Sequence, residues 1–268
     1  MAQEARTPKA MANTFQEDVP VVPRWILAAA DWSNIIAGIT LVIPFALMAG
    51  SYTFGWFAME GEVATVFQVL MAVEGVFWAL GGALMAWTHV ITDSAYPAVA
   101  QTVITFGGIF LFLNGLYNGE AGRVISFGYV LDPTGRVTFR DAAAYYGTGC
   151  FMTGTAMGLR GAWPLSKKKF VSPFWASACM WLGSWTVGMA IWVPMLLDGL
   201  ARYGSLQDPD VQMYSEKTFA WSANHVFQTL GACSLTAGAI LFAVLNDTIW
   251  YRPLRSKSMG SDDDIESS

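Results

Sequence analysis

The chain has 268 residues, a net charge of -5, 54% hydrophobic residues, only 13% charged residues and a mean hydropathy of +0.41. A soluble domain of this size cannot cover that much apolar surface, so the lipid bilayer is the expected solvent and partner. The acidic balance, with a pI near 5.0 and no basic stripe among the aromatics, excludes nucleic acid as a partner.

Residues 1–23 mix Glu4, Glu17 and Asp18 with Arg6 and Lys9 and lack the apolar run of a secretory signal, so a disordered cytoplasmic tail is expected there. Six apolar stretches follow, at 25–50, 64–88, 97–118, 142–159, 173–197 and 219–245, each about long enough to cross a bilayer. Backbone polar groups in lipid must be satisfied within their own segment, so these stretches predict an all-α, six-transmembrane-helix bundle over residues 24–250. Arg6, Lys9 and Arg24 precede the first stretch. Arg160, Lys167, Lys168 and Lys169 lie between the fourth and fifth, and Arg252, Arg255 and Lys257 follow the last. With an even number of spans these groups share one side, which predicts cytoplasmic N and C termini in a plasma or inner membrane. The loop at 119–141 holds Asp132-Pro133-Thr134-Gly135 between Val-, Tyr- and Phe-rich flanks, the pattern of a turn in an external hairpin. Residues 251–268, ending in Asp262-Asp263-Asp264 and a short polar run, are expected to be a charged cytoplasmic tail.

Small residues mark where helices approach one another. Gly75, Ala79 and Ala83 recur every fourth position in the second stretch, as do Gly154 and Gly158 in the fourth, and such rows let two backbones come close. Gly81-Gly82-Ala83, Thr153-Gly154-Thr155 and Leu235-Thr236-Ala237-Gly238 fall at similar places in the second, fourth and sixth stretches. They suggest three two-helix units, an organisation that surrounds a central pathway in transport proteins.

Few residues carry chemistry. Glu74 falls near the middle of its stretch, where a carboxylate facing lipid costs several kcal/mol. It is read as a protonatable group on a transport path, against the plainer reading of a carboxyl hydrogen-bonded inside the bundle. Asp31, with Asn34 one turn on, lies toward the inner end of the first helix, and His225, with Gln228 one turn on, toward the outer end of the last. Glu74, Asp31, Asn34, His225 and Gln228 are therefore the candidate path residues, staggered in depth. Trp181, Trp185 and Trp192 fall near one face of the fifth helix and are read as a possible constriction or as packing. His89 and His225 belong to opposite ends of the bundle, which excludes a shared bis-histidine haem. Cys150, Cys179 and Cys233 lie in separate stretches and offer neither a disulfide framework nor a metal motif, so no metal and no cofactor is expected. No nucleophile triad or phosphate loop is present, and an enzyme is the less favoured class.

The run Ala95-Tyr96-Pro97 followed by Thr105-Phe106-Gly107-Gly108-Ile109-Phe110 forms a short turn before an aromatic third helix. The last helix reads Gly231-Ala232-Cys233-Ser234-Leu235-Thr236-Ala237-Gly238 and leaves through Leu245-Asn246-Asp247 to Arg252-Pro253-Leu254. In these features the chain resembles the acetate uptake transporter family of six-helix channels for acetate, succinate and related species. The resemblance implies a homo-oligomer with one pathway per protomer. The Asn-Pro-Ala-Pro-Leu-Gly-type run that opens the family's first helix is replaced here by Val22-Pro23-Arg24-Trp25-Ile26-Leu27, so no binding residue is carried over. The expected function is a channel or transporter for a small polar or weak-acid solute, with proton coupling as one form of it. A non-catalytic subunit or scaffold of a larger membrane complex is the alternative, and a membrane enzyme acting on a lipid-soluble substrate is third.

Overall fold

A computed structural model describes residues 22–117, 139–165, 168–203 and 219–249. These residues form helices α1 (Arg24–Met48), α2 (Gly61–Ile91), α3 (Ala95–Tyr117), α4 (Phe139–Ala162), α5 (Pro173–Tyr203) and α6 (Phe219–Leu245), with no strand among them. The tails and the hairpin expected around Asp132 lie outside the described residues, except that α4 already begins at Phe139, inside the segment read as loop.

Five of the helices, α1, α2, α3, α5 and α6, are long and apolar enough to cross a membrane, and the chain is an integral, multi-pass helical membrane protein. The fourth stretch expected to span, α4, is helical over Phe139–Ala162 but is not among these five. Its described part carries Tyr145, Tyr146, Thr148, Thr153, Thr155 and Arg160, which dilute its apolar character. At 31 residues each, α2 and α5 extend about 46 Å at 1.5 Å per residue, beyond the ~30 Å hydrocarbon core, so their ends reach into the interface or tilt.

Helix ends follow local chemistry. Pro97 occupies the first turn of α3 and Pro173 is the first residue of α5, where a missing N–H removes nothing the helix needs. Helices α2 and α6 end alike. Asp93 (φ 51°) and Asp247 (φ 54°) take the left-handed conformation, the next residue's N–H reaches back to His89 O (2.8 Å) or Ala243 O (3.0 Å), and the Asp N–H bonds Val90 O or Val244 O. This is the Schellman arrangement with Asp in the place usual for Gly. Helix α1 contains Pro44, whose missing N–H removes the bond to Thr40 O, and runs on into a π-helical turn, Ala49–Thr53, closed by Phe54 N–H on Ala49 O at 3.0 Å.

The helices pack in a closed ring. Each packs against its neighbours in sequence and α6 returns to α1, and among the described residues no two helices across the ring bring their backbones together, although side chains meet in the middle. Small residues make the seams tight. A Cβ at Gly75 would run into the backbone of Phe112, and one at Gly108 into that of Ala79, so α2 and α3 lie backbone to backbone. Gly154 rests on Ala100 O and Ile104 of α3, Gly238 on Ala176 O and Met180 of α5, and Gly81 on Ala30 O and Asn34 of α1. One contact thus recurs at three seams with the same four-residue spacing on the facing helix. Gly158 meets nothing and Ala83 is exposed, so only part of each small-residue row is used.

Polar stitches cross the seams as well. The hydroxyls of Thr155 and Ser184 lie 2.6 Å apart, Trp192 Nε1 donates to Thr148 Oγ1 (2.9 Å), Asn224 Nδ2 to Ala190 O (2.6 Å), Ser234 Oγ to Cys179 O (2.9 Å) and Tyr96 Oη to Met157 O (3.2 Å). Side-chain bonds between membrane helices contribute on average about 0.6 kcal/mol each, so they fix register more than they hold the ring together.

Candidate functional site

The ring encloses a cavity of about 50 Å³ whose wall takes residues from all six helices. Leu41, Leu111 and Val187, from α1, α3 and α5, form one layer. Trp78, Phe151 and Leu235, from α2, α4 and α6, form another, with the Trp78 and Phe151 rings edge to face at 5.1 Å. Phe45, Met71 and Ile191 complete most of the apolar wall. These side chains are helical residues spaced three, four or seven apart, so each faces inward for the same reason that it is apolar.

Glu74 lines this cavity with no exposed surface at all, and neither carboxyl oxygen has a hydrogen-bond partner. Its position follows from the recurring seam contact. Seven residues before Gly154 stands Gly147, packed on Gly107 O and Leu111. Seven before Gly238 stands Gly231, packed on Gly183 O and Val187. Seven before Gly81 stands Glu74. Where two seams bring backbones together through glycine, the third inserts a carboxyl beside the central space. An ionised carboxyl in such surroundings needs a counter-charge or several donors, and the apolar wall supplies neither. Trp78 Nε1, one turn along α2, is also buried without a partner. The remaining polar groups on the wall are Asn114, Thr148 and Ser184; the Thr148 hydroxyl donates to Ala144 O (2.8 Å) and that of Ser184 to Trp181 O (2.9 Å).

Glu74 is thus the one candidate path residue that lines the cavity. Asp31 is buried elsewhere, at the join of α1 with the exit of α6. Thr248 Oγ1 donates to its Oδ2 at 2.6 Å and Asn246 Nδ2 to the same oxygen at 3.0 Å. Just outside, Arg24 donates to Asp247 Oδ2 at 2.8 Å on the exposed rim. Asn34, one turn beyond Asp31, packs against Gly81. His225 and Gln228 do form a buried polar pair, with His225 Nδ1 and Gln228 Oε1 3.2 Å apart, and the Tyr52 ring from the π-turn of α1 lies 5.4 Å from the imidazole. That pair is not part of the wall around Glu74. Trp181, Trp185 and Trp192 stand on the outer seam between α4 and α5, with the Trp181 and Trp185 rings 6.0 Å apart.

Asn114, Thr148, Ser184 and the Trp78 indole escape a reading of the sequence by residue type, because Ser, Thr and Asn also serve as ordinary packing groups in membrane helices. The signal that finds them is positional: each lies within a turn of a recurring seam glycine or of its facing residue. No group of three or more His, Cys, Asp or Glu able to hold a metal occurs among the described residues. Comparison with protein-family models, with curated proteins and with solved structures finds no match.

Proposed function

We propose that the chain is a six-span channel or transporter for a small polar or weak-acid solute, coupled to protons through Glu74. The helices act as three two-helix units, α1–α2, α3–α4 and α5–α6, around one axis, with both termini in the cytoplasm. The observation that carries this reading is the fully buried, unpartnered Glu74 carboxyl in a cavity walled by every helix of the ring. A carboxyl kept in hydrocarbon without partners is expensive, and intramembrane acids at such positions are characteristic of proton relays and substrate sites. The apolar layers on the cavity wall suit a constriction that opens only when the helices move, since about 50 Å³ holds no more than a few waters at rest. The likeness of the third and last helices to acetate uptake transporters points to small carboxylates as the first solutes to try, with α4 as the sixth span despite its polar residues.

Reconstitution into sealed vesicles tests the proposal. With an inward proton gradient, labelled acetate, succinate or lactate enters faster than into empty vesicles, and Glu74→Gln abolishes the dependence on the gradient while the protein remains folded. Uptake equal to that of empty vesicles across the panel, or Glu74→Gln indistinguishable from the unaltered protein, removes the basis of this reading.

A further inference from the structure

Five seams of the ring close through backbone against glycine or small residues, but the seam between α4 and α5 does not. There Gly149 meets the ring of Trp192 and Gly188 meets the side chain of Met152, so bulky groups hold the two helices apart and contact between them is the sparsest in the ring. On the outer side this leaves a groove made of two adjoining spaces of about 600 and 480 Å³ that share Ala156 and Arg160. Its wall is soft and apolar, from Trp181 and Trp185 along to Met189 and Trp192 on α5, with Met152 opposite on α4. From Trp181 to Trp192 the groove runs about 16 Å at 1.5 Å per residue, close to half of a ~30 Å hydrocarbon core. Arg160, in the last turn of α4, belongs to both spaces, is exposed and makes no ion pair among the described residues.

We propose that this groove binds one anionic phospholipid from the leaflet on the side of the α4–α5 turn. An acyl chain lies along Trp185, Met152 and Trp192, and the headgroup phosphate sits on Arg160. Three features fit together. The groove is as long as a chain of one leaflet, polarizable Met and Trp side chains suit a disordered hydrocarbon, and the single guanidinium lies at the end where a phosphate belongs. A zwitterionic lipid offers the same chain, but its ammonium group cancels much of the attraction to Arg160. The bound lipid fills the seam that the protein's own side chains leave open, so it stabilises the ring independently of any transported solute.

Native mass spectrometry of the full chain in neutral detergent, with dioleoyl phosphatidylglycerol or dioleoyl phosphatidylcholine added, tests the site. The expected result is a one-to-one adduct retained at least tenfold more with phosphatidylglycerol. Arg160→Gln should remove that preference and Arg160→Lys should restore part of it. Ala156→Trp, which puts a large ring where the two spaces adjoin, should reduce retention of both lipids. Thermal unfolding should shift upward by several degrees with phosphatidylglycerol for the unaltered protein and not for Arg160→Gln. The melting point of each variant without lipid separates loss of the site from loss of the fold. Equal retention of the two lipids, or full phosphatidylglycerol preference in Arg160→Gln, overturns the proposal. A lipid-free dimer that dissociates in Ala156→Trp also overturns it, by identifying the groove as a contact between copies of this chain.

Discussion

Two buried acids, Asp31 and Glu74, place the same carboxyl chemistry in opposite surroundings. Asp31 accepts from Thr248 and Asn246, and removing it leaves the buried Thr248 hydroxyl only Ala243 O, at 3.1 Å, and takes from the half-buried Asn246 amide its carboxylate acceptor. Asp31→Ala should therefore destabilise the protein by about 1–3 kcal/mol, read as a lower melting temperature in detergent, whereas Asp31→Asn should retain more of the stability. If Asp31→Ala melts with the unaltered protein, the join contributes nothing. Glu74 predicts the opposite sign. Its carboxyl has no partner to lose, so Glu74→Leu should leave stability unchanged or raise it by about 1–3 kcal/mol while ending proton-coupled uptake. A fall in melting temperature as large as that of Asp31→Ala would mean that Glu74 serves the fold. The sequence singles out both acids because each interrupts an apolar stretch, but it cannot separate their roles. The partners of Asp31 lie 215 and 217 residues away, and only the closing of the ring brings them within reach.

At the scale of elements, apolar length gave the helices and small-residue spacing gave some of their contacts. Gly75 and Ala79 of α2 and Gly154 of α4 do meet neighbouring backbones, as their four-residue spacing suggests, whereas Gly158 is open. The pattern could not separate the two because it marks a permissive surface and says nothing about which part of it a neighbour covers. A paired substitution separates them by experiment. Gly154→Leu should cost more than about 1–3 kcal/mol by forcing α3 and α4 apart, while Gly158→Leu should be neutral or slightly stabilising through its better helix propensity. Equal melting temperatures would argue against the close seam. The tryptophans show a related limit: spacing places Trp185 and Trp192 near one face of α5 but does not say what that face meets, and in the structure both line the groove between α4 and α5, with Trp192 against Gly149.

For the whole molecule, the closing contact between α1 and α6 is, among the described residues, the one seam that joins helices distant in sequence, and it was invisible in the sequence for that reason. Gly38 of α1 lies directly against Thr236 of α6. In a background where Cys150, Cys179 and Cys233 are replaced by Ala, the pair Gly38→Cys with Thr236→Cys should form a disulfide under mild oxidation, detected as a reducible shift in gel mobility. Failure to cross-link, while either single variant stays folded, would count against a closed ring. Closure also has a bearing on how the chain is strung. Because Arg24 and Asp247 meet at the rim, the start of the first helix and the exit of the last are neighbours, and the order of the helices around the ring has no privileged beginning. A circular permutant that joins these two ends by a short linker and opens instead between α3 and α4 keeps every seam, so the direction of reading of this bundle is a property of its gene rather than of its architecture.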